Sequence, residues 1–406
     1  MGYFKDTLKG VGWMTALRGV TRGLAVIKIA ILARILSPSQ FGTYGIALLV
    51  LGFLEVLTET GINVFLIQEK DETEKYLDSA WVVSIIRGIL ISLFILASVP
   101  LIIFFFNAPN VRTLLYLVAA VALVRGFINP MEVTFQKNLQ FMKEFLFQGF
   151  LFFIDAAVAV SIGIVTKNES AMVVGMLAAA VIEVILSFVI FKTRPKLKFD
   201  KEKFLKVINR GKWITGAGIF YYAFQNIDNI FVGRFLGTAP LGFYQQAYSI
   251  STLPVSEMGQ IFNKVTFPVY VRIAGDRKRL KAAFFKTLGV ILALVTVFGI
   301  AILFFSKPLI LVFLGAKWLT IEPVLKVLAI FGILKSLLNF SYSVFLALKM
   351  QKAVMLSELT GIIGMGIAIY PMIMKYGLVG AGYSTIIAFF CSLPIVLINL
   401  IKIFKK

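Results

Sequence analysis

Apolar runs of twenty or more residues recur through this chain of 406 residues. At ~1.5 Å of rise per residue, each is long enough to cross a hydrocarbon layer roughly 30 Å thick as an α-helix. Lipid offers no partner to a backbone N–H or carbonyl, so such segments satisfy themselves internally and become helices. Composition agrees: 59% of residues are hydrophobic and only 15% charged, too few to clothe a soluble protein of this size. Apolar runs read against polar punctuation predict about twelve spans. In the first half they fall near 10–36, 41–67, 79–107, 111–136, 145–165 and 169–191, and in the second near 213–236, 241–268, 282–306, 319–348, 353–374 and 378–401. The expected class is an all-α membrane protein of two six-helix lobes, 1–191 and 213–406, joined by a basic cytoplasmic linker at 192–212. Met1–Lys9 is short and polar and the segment after it carries arginines, a pattern unlike a cleaved signal peptide.

A formal net charge of +21 would point a soluble protein toward nucleic acid, but here position matters more than total. With the first span entering from the cytoplasm, one set of loops holds Lys5, Lys9, Lys70, Lys75, Lys137, Lys143, the linker, the cluster from Lys264 to Lys286, Lys349, Lys352 and the C-terminal lysines. The other set holds Arg112, Lys167, Lys307, Lys317 and Lys375. Basic loops stay inside, so both termini are expected in the cytoplasm of a cell-membrane protein, with the linker drawn to anionic membrane lipid and no nucleic acid as partner. Histidine is absent and Cys391 is the single cysteine, which excludes internal disulfides, His–Cys metal sites and histidine-based catalysis.

The chain also resembles itself at a shift of 200 residues. Trp13 meets Trp213, Thr15 meets Thr215, Arg34 meets Arg234, Leu36 meets Leu236, Gly42 meets Gly242, Tyr44 meets Tyr244, Ala47 meets Ala247 and Asn63 meets Asn263. The densest stretch, Ala33–Ala47 against Gly233–Ala247, keeps a short polar turn between two spans. Six spans separate the equivalents, so both lobes start from the same side, a parallel repeat able to rock about a central cavity.

Basic side chains inside spans are the functional signal: Arg18, Arg22, Lys28, Arg34, Arg87, Arg125, Arg234, Lys326 and Lys335. Each costs roughly 2.5–3.5 kcal/mol near a helix centre and therefore faces a partner, the bundle interior or a water-filled path. Arg18 and Arg22 lie one turn apart on one face of the first span, while Gly19 and Gly23 on an adjacent face would let a neighbour approach. Arg87 and Arg125 add cations to the same lobe, and Glu55, Glu59, Asp155 and Glu183 could instead neutralise them. Arg34 and Arg234, near span ends, suit snorkelling to headgroups. The seventh span carries a polar and aromatic patch, Tyr221, Tyr222, Gln225, Asn226, Asp228 and Asn229. Its tyrosine rings, amides and carboxylate could meet sugars, or bond to other helices and fix the lobe. Pro130, Pro254, Pro371 and Pro394 mark bending points.

Ala33-Arg34-Ile35-Leu36-Ser37-Pro38-Ser39-Gln40-Phe41-Gly42 resembles the first-hairpin signature of polysaccharide exporters of the Wzx and WzxC type, in the multidrug, oligosaccharidyl-lipid and polysaccharide exporter superfamily. The second half agrees through Asp228-Asn229-Ile230-Phe231-Val232-Gly233-Arg234-Phe235-Leu236-Gly237, Leu241-Gly242-Phe243-Tyr244, Leu253-Pro254 and Phe267-Pro268. The resemblance implies a flippase that moves undecaprenyl-diphosphate-linked oligosaccharide repeat units to the outer leaflet, beside the polysaccharide polymerase and assembly proteins. It also implies a cationic cavity, a role that Arg18, Arg22, Arg87 and Arg125 fit by charge. Guanidinium forks match the oxygens of a diphosphate.

No nucleotide-binding segment or Asp-x-Asp motif exists, so an enzyme is not expected and no cofactor is implied. An ion gradient, sodium or proton, would drive transport, with Asp155, Glu183 and Asp228 as candidate coupling groups. The competing reading is a cation-coupled multidrug exporter of the same superfamily, which those carboxylates also suit. A major-facilitator transporter would carry a glycine- and arginine-rich loop where Glu69-Lys70-Asp71-Glu72-Thr73-Glu74-Lys75 stands.

Overall fold

The structure, a computed structural model, describes residues 2–58, 66, 74–197, 218 and 222–405. Its regular elements are helices: α1 (Gly2–Ile35), α2 (Pro38–Leu57), α3 (Glu74–Phe106), α4 (Val111–Arg125), α5 (Thr134–Lys137), α6 (Phe141–Thr166) and α7 (Ser170–Ile190) in the first half. A helix over 222–235, α8, leads the second half. It is followed by α9 (Thr238–Arg272), α10 (Arg277–Phe304), α11 (Ser306–Phe313), α12 (Glu322–Ala347) and α13 (Gln351–Lys405). The chain divides into two compact units, Met1–Gln225 and Asn226–Lys406. Most of the expected linker, residues 198–212, lies outside the described residues.

Six of the described helices are long and apolar enough to cross a membrane, and a bent pair makes a seventh if counted as one span. One of the six, α13, has 55 residues and would measure about 80 Å as a single rod. It breaks at Gly377, whose φ of 57° and ψ of −134° lie outside helical space. Large apolar side chains face outward, among them Phe104, Val165 and Phe304, an arrangement that water penalises and lipid accepts.

The repeated hairpin has the same frame in both halves. α1 ends at Ile35 and α2 begins at Pro38. α8 ends at residue 235 and α9 begins at Thr238. The two turns are held differently. Ser37 accepts from the Gln40 backbone N–H while the Gln40 side chain accepts from the Ser37 N–H, a reciprocal cap that satisfies two otherwise orphaned donors. In the second turn Gly237 adopts φ of 95°, a conformation that favours a residue without Cβ.

The expected span 111–136 is not one rod. α4 stops at Arg125, and a 3₁₀ turn (Pro130–Val133) with α5 leaves it at a bend of 73°. Proline lacks an amide hydrogen and pushes the residue before it away from helical angles. Asn129 is accordingly extended, at φ −70° and ψ 117°, and its side chain caps the new turn by accepting from the Met131 N–H. Just before the break α4 crosses α3 closely: a Cβ on Gly88 would lie 2.9 Å from the Ala122 carbonyl oxygen.

Candidate functional site

A cavity of about 720 Å³ opens inside the N-terminal unit, at the end of the bundle where α4 breaks and α6 begins. Its ionisable lining is Glu55, Arg87, Arg125, Glu132, Glu144 and Glu183, joined by the amides of Asn129, Gln136 and Gln148 and by Tyr222. The bend after α4 creates this space, because Pro130, Glu132, Val133, Phe135 and Gln136 turn inward to line it.

Both guanidinium groups are engaged on one side of the cavity. Arg125 Nη1 lies 3.2 Å from Glu55 Oε1. Arg87 donates from Nη2 to the Glu55 carbonyl oxygen at 2.8 Å and from Nε to Thr58 Oγ1 at 3.2 Å. Gln136 Nε2 also donates to Glu144 Oε1 at 2.7 Å. Glu144 is only 7% exposed. Its Oε2 and Glu132 Oε1 are buried without a hydrogen-bond partner among the described residues. Glu132 and Glu183 are close enough to repel, and Arg125 attracts Glu183. Buried acceptors left unmade cost about 1–3 kcal/mol each, so such atoms call for a reason.

Tyr222 forms part of the wall. Its hydroxyl donates to the Leu49 carbonyl oxygen at 2.6 Å and its ring lies 6.0 Å from that of Phe53. Gly52 makes room for it, since a Cβ there would come within 3.0 Å of the tyrosine ring.

The structure thus brings Glu55, Arg87, Arg125, Glu183 and Tyr222 to one cavity, which Arg18, Arg22, Asp155, Gln225, Asn226 and Asp228 do not line. Arg18 and Arg22 stand on α1 and do not line it; Arg22 is exposed and Arg18 half-buried. A Cβ built on Gly19 or Gly23 would meet nothing within 4 Å among the described residues, so no close helix approach at those glycines is made among them. Asp155 is bound by Lys28, Nζ to Oδ2 at 2.5 Å, both side chains about 15% exposed. Gly175 is packed so tightly on Asp155 that a Cβ would sit 2.5 Å from its carbonyl oxygen. Gln225 and Asn226 are half-buried. Asp228, 3% exposed, accepts from the Asn229 N–H at 2.8 Å, Asn229 Nδ2 at 3.1 Å and the Tyr244 hydroxyl at 2.9 Å. Lys335 donates to the Tyr248 hydroxyl at 2.9 Å, and Lys326 pairs with Glu322 at 2.7 Å. Glu59 and Tyr221 lie outside the described residues. No group of three metal-ligating side chains exists among the described residues.

Glu132, Glu144, Asn129, Gln136 and Gln148 are not among the candidates the sequence offers, because 111–136 reads as one span with a bending point at Pro130 and Glu144 and Gln148 sit at the start of the next. A glutamate two residues after an in-span proline was the available signal.

This architecture is a known one. The lipid II flippase MurJ, in an inward closed conformation, superposes with a TM-score of 0.76 over 96% of this chain and 88% of its own, at 18% identity. An inward-facing multidrug resistance transporter of the MATE family and MOP superfamily gives 0.70 over 94% of both chains at 12% identity. The class is therefore a multi-span helical membrane protein with the fold of these two transporters. The family described as polysaccharide biosynthesis protein matches residues 31–323, and this chain belongs to it. Relatives include an uncharacterized membrane protein of the cps region of Klebsiella pneumoniae, 29% identical over 392 residues, 94% of this chain and 79% of the relative. The lipopolysaccharide biosynthesis protein WzxC of Escherichia coli K12 is 24% identical over 341 residues, 84% and 69% of the two chains.

Proposed function

We propose that this transporter flips undecaprenyl-diphosphate-linked oligosaccharide repeat units from the inner to the outer leaflet, exposing its site to the two sides in turn. The observation that carries the reading is the N-terminal cavity: polar, charged and about 720 Å³, it sits inside a bundle whose outer surface is apolar. Ligand sites usually measure roughly 300–1,000 Å³, and a sugar head needs such a refuge from hydrocarbon while its polyprenyl tail stays in lipid. The names of the family and of WzxC support a cargo of polysaccharide biosynthesis. In this reading the chain makes twelve crossings with both termini cytoplasmic, because the segments at 137–143, 264–286 and 349–352 carry the basic residues. The cavity then opens toward the compartment in which the lipid-linked unit is made.

Arg18, half-buried, and Arg22, exposed, hold the diphosphate from one helical turn apart on α1. A sodium or proton gradient supplies the drive, Asp155, Glu183 and Asp228 remain the proposed coupling groups, and the polymerase and assembly proteins receive the product. Reconstitution in liposomes with a fluorescent lipid-linked oligosaccharide tests the function. Leaflet transfer by the wild-type protein is expected, with a loss of roughly tenfold or more for the Arg18→Ala, Arg22→Ala double variant at equal protein level. Wild-type vesicles that move no lipid-linked cargo would defeat the proposal.

A second reading is favoured by the four glutamates of the cavity: a multidrug exporter would use them for a cationic drug. The same vesicles loaded with ethidium separate the two, since gradient-driven ethidium movement without transfer of lipid-linked cargo is the drug exporter's result.

A further inference from the structure

We propose that α11 and the start of α12 bind the headgroup of an acidic phospholipid, its phosphate held between Lys307 and Lys326 and its acyl chains laid against the apolar side chains of α11. The occupant is a resident lipid of the bilayer, distinct from the transported cargo.

Length places the site. α10 is long and apolar enough to cross the membrane, and straight after it the chain makes α11, whose eight residues rise only about 12 Å against a hydrocarbon layer of roughly 30 Å. Leu311, Val312 and Phe313 of this short helix are nevertheless exposed, as are Phe304 and Phe305 before it. An element that cannot span and still shows large apolar side chains suits the interface, between headgroups and acyl chains. Ile310 and Leu314 are buried and fasten it to the C-terminal unit. The 3₁₀ turn that follows, Ala316–Ile321, is anchored by the fully buried Trp318, whose ring stands edge-on to that of Phe243 at 5.7 Å.

Charge selects the ligand. Glu322, the first residue of α12, has a side chain only 17% exposed and collects two ammonium groups, Lys326 Nζ at 2.7 Å and Lys307 Nζ at 3.9 Å. The Ser306 hydroxyl donates to the same carboxylate at 3.2 Å and helps to fix it. Two cations on one carboxylate leave one positive charge unmatched, which is the charge that a phosphodiester headgroup neutralises. Lys307 is 68% exposed and at the long limit of an ion pair, so it can turn to a phosphate at little cost. Lys317, exposed on the turn, adds a third cation to a stretch, 306–326, whose one acidic residue is Glu322. Lys307 and Leu311 lie one helical turn apart and are both exposed, so a single face of α11 meets phosphate and acyl chain together. A free anion would leave that apolar face uncovered, and a zwitterionic lipid brings a cation of its own. An acidic phospholipid satisfies both halves.

The test uses the full chain in phosphatidylcholine vesicles, with a fluorophore attached through Leu311→Cys in a Cys391→Ser background. Brominated phosphatidylglycerol or brominated phosphatidylcholine is added in steps, and quenching reports which lipid stands beside the label. With the lysines in place phosphatidylglycerol should be favoured by roughly fivefold, about the effect of one lysine at a membrane surface. A label through Phe94→Cys, exposed on a stretch of α3 that carries no ionisable residue from 88 to 106, should show no preference. The Lys307→Gln, Lys326→Gln double variant should erase the preference at Leu311, and Lys307→Arg should keep it. If the double variant does not fold, Lys307→Gln alone, at a largely exposed side chain, carries the same comparison. Sodium phosphate added at constant ionic strength should leave the quenching unchanged. No preference at Leu311, an equal preference at Phe94, a preference that survives loss of the lysines, or displacement of phosphatidylglycerol by free phosphate would each overturn the assignment.

Discussion

Lys28 in α1 and Asp228 in α8 stand 200 residues apart, at the same place in the repeated hairpin, yet they carry opposite charges and are satisfied in opposite ways. Lys28 reaches across to α6 and pairs with Asp155, 127 residues away. Asp228 stays within its own hairpin, taking its bonds from Asn229 and from Tyr244 of α9. The counterpart of Tyr244 is Tyr44, whose hydroxyl faces Met176 Sδ at 3.6 Å. One backbone frame thus serves two designs. The N-terminal hairpin is tied to distant helices by charge, and the C-terminal hairpin is closed on itself by neutral donors around one carboxylate. The same division extends outward, because the N-terminal unit gathers ionisable groups around open space, whereas Lys335 and Glu322 of the C-terminal unit bond to neighbours.

Substitutions at the equivalent positions can break this contrast. Lys28→Met should do the most damage, about 3–5 kcal/mol, because it strands Asp155 as an uncompensated buried charge. Thermal melting of the purified protein reads the loss, and the Lys28→Met, Asp155→Leu double variant should recover most of it. A double variant as unstable as the single one would mean that the pair is not what ties α1 to α6. Tyr244→Phe comes next, at about 1–3 kcal/mol, since Asp228 Oδ2 loses its donor. Tyr44→Phe sharpens the point: a thioether is a weak acceptor, so the change should cost less than about 0.5 kcal/mol, and equal costs at the two tyrosines would erase the distinction. Between the two tyrosines falls Ser37→Ala, about 1 kcal/mol for the lost cap, also measured by melting.

The repeat and most helices were legible because apolar period and polar punctuation report on each segment alone. Ser37-Pro38-Ser39-Gln40 reads as a short polar turn between two spans, and the structure makes it a helix cap. The break at Asn129-Pro130 was half legible: a proline was noticed, but nothing local says whether a helix will bend a little or turn through 73°. That angle decides the site. It carries Glu132 and Gln136 from a supposed lipid-crossing rod to the lining of a cavity, where Gln136 bonds to a Glu144 that the sequence places in a loop-to-helix junction. Pairings such as Lys28 with Asp155 depend on how helices pack, which periodicity does not encode.

The truncation of α4 also acts on the surroundings of the protein. Fifteen residues cover only about 22 Å, short of a hydrocarbon layer of roughly 30 Å. Arg112, Tyr116 and Leu123 on this helix face outward, so acyl chains along that flank meet a wall too low for them. The membrane answers such mismatch by thinning locally. A bilayer that thins to meet α4 would draw its two headgroup layers together beside this helix.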